Sequence, residues 1–545
     1  MNLSLQAAAL AAMALASLGL VPAAQAGVDG QWVIAVPGSP GGILLELKSD
    51  GGRLTGSLSG PNGKMEIGNG SIAGDAISFE TVVKLDRQTI TVFYKGQVEG
   101  DEIHFTVGAG EYGRGQRVTA KRLPANAAPP DWFSESPAPD EVVAWLKANA
   151  IRLKTVEPGS TFGDMEPLKA RLKDARVVAM GEATHGTREF FQFKHRMFQF
   201  LVKELGFTVF GMEANWPESL EVNAYVLEGK GDAREAVGRL AFAVWQTEEV
   251  LDLIRWMRQY NLDPAHTQKL KFYGFDMQAQ RGAESNVLAY LRRVDPEYRD
   301  AAAQTFAVLG EYPNNPAYID GPAEGKRRTA ESLAAILRRI DERKPEYIAR
   351  SSQDEWTMAR QNMVIVKQAE VKMANPGEPG RAFRDQAMAE NVKWIMDQEP
   401  AGTRMMLWAH DDHIAGDAEA HPPMGAHLRR IFGEQVALCG FLFQQGSFRA
   451  IDTTTNAATI YTVGPPPEGS LDATFAAAGV PLFAADLRHL PGGKLADWFD
   501  APHVSRQIGA GYSEATPGIW LERIRAARAF DVLIFVGKTT ASRPL

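Results

Sequence analysis

From Val177 to Thr187 the chain reads Val-Val-Ala-Met-Gly-Glu-Ala-Thr-His-Gly-Thr. A short apolar run stops at Gly181, and Glu182 and His185 follow, three residues apart. Three later apolar runs end in the same way, as Gly211-Met-Glu213, Gly274-Phe-Asp276 and Trp408-Ala-His410, with His413 three residues on. In a parallel sheet the carboxyl ends of the strands share one edge. Glu182, His185, Glu213, Asp276, His410 and His413 are therefore expected to converge there as a carboxylate–imidazole site. Each also has a structural reading. Glu213 and Asp276 suit helix N-termini, and His413 lies among Asp411, Asp412 and Asp417 as a solvated group would.

The same residues bound the chemistry. A serine hydrolase needs an activated Ser at a tight strand-to-helix turn, and the nearest string, Gly511-Tyr-Ser-Glu-Ala515, lacks the last Gly and follows no strand. Cys439 is the only cysteine, sits in an apolar run with no adjacent base, and reads as a buried structural thiol. What remains is a His base, held by a carboxylate, that activates water directly. Further imidazoles could hold the oxyanion formed when water attacks a carbonyl. Alternatively, the same set could bind a divalent cation, Zn²⁺ or Mn²⁺, for hydrolysis, or the cleft could hold haem or another small molecule without turnover.

The elements that must position these groups can be read from the pattern. Residues 176–180, 207–212, 270–275, 405–409, 435–440 and 532–536 are continuous apolar runs, as strands buried on both faces should be. Residues 187–205 carry a helical apolar stripe, so the first two strands and this helix form a βαβ unit. Residues 283–395 show long helical patterns and read as a helical insertion. The expected fold of residues 140–545 is α/β, a mostly parallel sheet flanked by helices.

Residues 27–123 read differently. Short β-branched and aromatic runs are punctuated by Gly, Asn and Asp, which predicts a small all-β barrel or sandwich. Residues 70–79 and 96–105 repeat one another around Gly-Asp, each copy a predicted hairpin. Trp32, Phe79, Tyr94 and Phe105 are expected in its core rather than on a ligand face. The string Gly108-Ala-Gly110-Glu-Tyr-Gly113 matches GxGxxG, but a strand follows it where a nucleotide fold needs a helix. Residues 124–139 are a Pro/Ala-rich linker. Residues 7–21 are apolar and lead to Ala24-Gln25-Ala26, which predicts a signal peptide over residues 1–26 and a periplasmic or secreted protein, although no Lys or Arg precedes the run. No later segment is long and apolar enough to span a membrane. A net charge of −8, with no long basic run, argues against a general nucleic-acid partner.

Taken together, these residues resemble the erythromycin esterases. Gly181-Glu-Ala-Thr-His-Gly-Thr-Arg-Glu-Phe-Phe191 looks like a first signature and Glu213-Ala-Asn-Trp-Pro217 like a second. Middle blocks follow at Trp245-Gln-Thr-Glu-Glu-Val250, Trp256-Met-Arg258 with Asn261, and Tyr273-Gly-Phe-Asp276, and later ones at Arg384-Asp385, Met388-Ala-Glu-Asn391 and Trp408-Ala-His-Asp-Asp-His413. The likeness runs from about residue 150 to the C-terminus and leaves residues 27–123 as an added module. It implies hydrolysis of a small-molecule ester or lactone, of the macrolide type in the best-known members. His185 would be the base, oriented by Glu182 or Glu213. His410 and His413 would bind or polarise the carbonyl, and Lys194, Asp276 and Trp216 would contact substrate. Asp411 stands where the family pattern suggests Asn, and its charge is expected to favour imidazolium at His410 or His413.

Overall fold

A computed structural model describes residues 27–545 except 37–38, 61–62, 86–87, 110–115, 125–126, 128–132, 311–314, 419 and 515–516. The predicted signal peptide lies outside the described residues, as does much of the predicted linker. The chain divides into two compact units. The first comprises the N-terminal segment to Ser136 with residues 467–470 and 512–522, and the second comprises the remainder.

In the first unit nine antiparallel strands follow one another from Gly30–Val36 to Gln116–Arg122. Eight of them form a closed ring, because Ser39–Asp50 at one end of the strand order pairs with Arg53–Gly60 near the other. Closure removes the free edges that an open sheet would expose. Both copies of the internal repeat are hairpins, and Gly74 and Gly100 take the left-handed conformation (φ 60° and 62°) that each turn requires. Trp32, Phe79, Tyr94 and Phe105 are buried in the barrel core, where the Phe79 ring stacks on Tyr94 and meets Phe105 edge-on.

The second unit is built on a mixed sheet. Along its main path the strands run Ile151–Arg152, Leu482–Asp486, Val532–Thr539, Val436–Asp452, Val177–Met180, Met405–Trp408, Val209–Asn215 and Lys271–Asp276. The six strands read from apolar runs are all present and mutually parallel. Leu482–Asp486 was not anticipated; it pairs antiparallel to Val532–Thr539 and carries the sheet outward. Val436–Asp452 continues for 17 residues, far past its apolar start, because its distal half pairs with Ala458–Val463.

The helix Arg188–Leu205 departs from a simple amphipathic stripe. Every side chain from Phe190 to Val202 is buried. The helix packs against the sheet on one side and the Glu248–Leu262 helix on another, so no face is left for water. Gly206 ends it in the left-handed conformation, φ 70°. Between Arg281 and Gln398 the described elements are all helical, and the last of them, Glu378–Gln398, brings Arg384 and Asp385 back to the sheet edge.

Candidate active site

The parallel register places the titratable residues side by side. Met180 pairs with Trp408 and Trp408 with Met212, so Glu182, His410 and Glu213 leave three adjacent strands at nearly the same level. Asp276 pairs with Asn215 on the next strand. Close packing at this edge dictates glycine at two points. A Cβ on Gly181 would lie 1.7 Å from Asp411 Oδ1, and one on Gly186 would lie 1.8 Å from the carbonyl oxygen of Arg449.

Glu182 and His185 form the first group. Glu182 Oε1 lies 2.6 Å from His185 Nδ1. The other oxygen accepts from Lys194 Nζ at 2.6 Å and from the Trp408 indole at 3.0 Å. With its carboxylate so fixed, Glu182 sets both the orientation and the tautomer of His185. The His185 ring also meets the Trp245 ring edge-on and stands 5.0 Å, centroid to centroid, from that of His410. Nε2 of His185 has no hydrogen-bond partner among the described residues, and His185 lines a small cleft open to solvent with Val244, Arg449, Ile451, Ala458 and Ser542.

Arg384 organises the second group. Its Nη2 reaches Glu213 Oε1 at 2.6 Å and Asp276 Oδ2 at 2.8 Å, while Nε donates to Asp276 Oδ1 at 3.1 Å. Burial opposes ionisation of Glu213, yet His413 and Arg384 hold its carboxyl well below the usual range. Its second oxygen accepts the backbone N–H of His410 at 2.9 Å, tying this cluster to the first. His413 Nδ1 bonds Asp385 at 2.7 Å, and Asp385 in turn bonds His421 at 2.8 Å. Burial disfavours charge on His413, but Asp385 and Glu213 outweigh it and push the ring up to about 10. Nε2 sits between Arg384 Nη1 (2.7 Å) and Glu213 Oε1 (3.3 Å). Protonation therefore turns it from an acceptor toward Arg384 into a donor toward Glu213.

These positions revise several expectations. Glu182, not Glu213, orients His185. His410 Nε2 donates to the Ile508 carbonyl at 3.2 Å, and Nδ1 faces the N–H and the carboxylate of Asp412. His413 is likewise engaged at both nitrogens, so neither ring keeps a free N–H for a substrate carbonyl. Burial works against charge on His410, and Asp412 followed by Asp411 and Glu213 overcomes it, to about 9. The expected imidazolium is thus favoured, with Asp412 the stronger contributor. Lys194 and Asp276 are fully buried and spent on Glu182 and Arg384, as positioning groups without access to substrate. Trp216 is also fully buried, stacked on Tyr273 and edge-on to Trp394 in the core, which rules out a substrate contact in this conformation.

A metal fits this donor set poorly. The carboxylate oxygens of Glu182, Glu213 and Asp276 are already occupied by Lys194, Trp408, Arg384 and backbone N–H groups. Among the described residues no three His, Cys, Asp or Glu side chains are grouped as ligands. Cys439 is buried on its strand, its thiol pushed up by burial.

A carboxylate-held histidine at the carboxyl edge of a sheet wound with helices defines an α/β enzyme whose site suits hydrolysis. More particularly, the chain belongs to the erythromycin esterase family, whose model matches residues 202–539, and it is an ester hydrolase. It is 24% identical over 379 residues to erythromycin esterase type II of Escherichia coli, covering 64% of this chain and 89% of that one. A Bacillus cereus protein of known crystal structure shares 26% identity at a TM-score of 0.66, over 74% of this chain and 99% of its own. The erythromycin esterase EreC, as a histidine-to-asparagine mutant in an open conformation, shares the fold at a TM-score of 0.55 and 15% identity, covering 70% of this chain and 96% of that one.

Proposed function

We propose that this enzyme hydrolyses a carboxylic ester or lactone by direct attack of water, with His185 as general base. The observation that carries this reading is the 2.6 Å contact between Glu182 and His185 Nδ1, which leaves Nε2 at the cleft without a protein partner. Water placed against Nε2 gives up its proton as its oxygen adds to the carbonyl carbon. Glu182 stabilises the imidazolium that forms. The imidazolium of His410 lies close enough to favour the developing oxyanion by charge alone. Collapse of the tetrahedral intermediate breaks the bond to the alkoxide, which takes the proton back from His185.

The substrate class runs from small esters and lactones to the macrolide type that the family likeness suggests. Export from the cytoplasm is part of the proposal and rests on residues 7–21 and the Ala24-Gln25-Ala26 site. N-terminal sequencing of exported protein tests it, and a mature chain still beginning at Met1 refutes it. For the chemistry, His185→Ala and Glu182→Gln are assayed against activated esters, lactones and macrolides. Hydrolysis by His185→Ala should fall at least about 10²-fold with an unchanged circular dichroism spectrum. Activity near wild type in that variant would remove His185 as the base.

A further inference from the structure

The helices Arg188–Leu205 and Glu248–Leu262 start alike, as Thr187-Arg-Glu189 and Thr247-Glu-Glu249. The first N–H groups of a helix have no partner within it. Here both helices find one on the same segment, Thr540–Leu545, which follows the strand Val532–Thr539. The Arg188 N–H donates to the Thr540 carbonyl at 2.9 Å, and the Thr540 N–H donates to Glu189 Oε2 at 2.7 Å. Three residues on, the exchange repeats. The Glu248 N–H donates to the Arg543 carbonyl at 2.9 Å, and the Arg543 N–H donates to Glu249 Oε2 at 3.1 Å. Between these two pairs the Ser542 N–H donates to the Gly186 carbonyl at 2.8 Å, and beyond them the Leu545 N–H donates to the Gln246 carbonyl at 3.1 Å.

The segment therefore staples two helix starts, and each start leads into a support of His185. One is the loop that carries the residue. The other is the turn Ala243–Trp245, whose Trp245 ring meets the His185 ring edge-on with centroids 5.2 Å apart. The two anchors differ in depth. Glu189 takes the Thr540 N–H and hydroxyl near solvent. The Glu249 side chain is 1% exposed, and its Oε1 takes Arg543 Nε at 2.8 Å, with Arg188 Nε 3.7 Å away. A buried carboxylate persists only where such donors match it. We infer that Glu249 and Arg543 are positioning residues for His185: their pairing clamps residues 540–545 across both helix starts and so holds the His185 loop against the Trp245 turn. The effect on rate rests on the proposed role of His185 as base, but the clamp itself can be measured without turnover.

Amide hydrogen exchange at Arg188 and Glu248, whose N–H groups donate to the segment, reads the clamp directly in the full-length chain. In Arg543→Ala both amides should exchange at least about tenfold faster, while the Gln353–Ala374 helix keeps its wild-type rates. Arg543→Lys leaves Glu249 a cation and should recover part of the protection. For an ester that the wild type cleaves, Arg543→Ala should lower kcat at least about tenfold and change KM by less than about threefold, since a misplaced base loses rate rather than binding. Added to His185→Ala, it should leave the residual hydrolysis unchanged, because a residue that acts through His185 then has nothing to act on. Glu249→Gln keeps the side-chain shape and repeats these measurements if Arg543→Ala does not fold. Wild-type exchange at both amides overturns the inference. So does unchanged kcat with loosened amides in an enzyme that needs His185, or an equal fold loss in the His185→Ala background. Loosened amides beside a His185→Ala protein as active as wild type would instead remove His185 as the base and leave the clamp standing.

Discussion

Lys194 Nζ lies 2.6 Å from Glu182 Oε2, and neither side chain has any exposed surface. A buried pair of this kind is held because removing one partner strands the other charge, at a cost of about 3–5 kcal/mol. Burial depresses Lys194 to about 8 against the opposing pull of Glu182. As pH rises through 8 the ammonium therefore loses its proton and Glu182 loses its counter-ion. We expect kcat/KM to fall on an alkaline limb near pH 8, and Lys194→Arg to move that limb upward, because a guanidinium stays charged. The limb cannot be an unfolding effect of this group. Between about 8 and the unfolded value of 10.5 the unfolded chain holds more protons, so its contribution to stability increases with pH across that window. A pH–rate profile of both proteins, with folding followed in parallel, decides it; an unmoved limb in Lys194→Arg assigns it elsewhere.

Arg384 is bound by Glu213 and Asp276 together. Arg384→Met leaves buried Asp276 without a cation and Glu213 with His413 alone, and should cost about 3–5 kcal/mol in denaturant unfolding. Arg384→Lys should recover only part of this, since one ammonium cannot reproduce the fork that spans both carboxylates. Adding Asp276→Asn to Arg384→Met should restore much of the stability, because it removes the stranded charge. Additive losses in the double variant would show that the pair is not energetically coupled.

The same residue marks where sequence reading ran out. Strand ends were legible because strands covered on both faces are unbroken apolar runs, and each run stops at its polar group. Arg384 and Asp385 arrive from the Glu378–Gln398 helix, where a local pattern cannot separate an inward arginine from a solvated one; only the family likeness had marked them. Trp216 was misplaced for the converse reason. It neighbours Glu213 in sequence, but the first turn of its helix rotates it into the core. The strand Leu482–Asp486 was missed because Leu-Phe-Ala-Ala-Asp has no β-branched residue and no alternation, its conformation being set by pairing with Val532–Thr539.

Asp411 offers a test on the substitution singled out in sequence. Its carboxylate faces the N–H of Phe441 at 3.1 Å, and burial raises it from 3.8 to about 7 despite His410. The native state thus binds a proton more readily than the unfolded chain between those values, so this group subtracts stability as pH rises from 3.8 to 7. Asp411→Asn keeps the acceptor and removes the titration. Relative to the parent it should be more stable at pH 8 by on the order of 2–4 kcal/mol, with the difference vanishing below about pH 4. Equal stability of the two proteins at pH 8 would contradict this.

Gly186 holds the loop after His185 against the strand Val436–Asp452. Its carbonyl accepts the N–H of Arg449 at 3.0 Å and of Ser542 at 2.8 Å. An added Cβ would lie 1.8 Å from the Arg449 carbonyl oxygen and 2.8 Å from its nitrogen. Backbone occupies that space, so no side-chain rotation can relieve the overlap. Gly186→Ala must push the loop away from the strand, at about 1–3 kcal/mol. His185 moves with it, and a displacement near 1 Å is enough to cost roughly 10²-fold in rate. We therefore expect kcat/KM to fall by about that factor while most of the stability is retained, a split that a general folding defect would not give. Kinetics alongside denaturant unfolding measure both quantities. Wild-type turnover by Gly186→Ala would mean that the approach of Arg449 to this loop does not position the base.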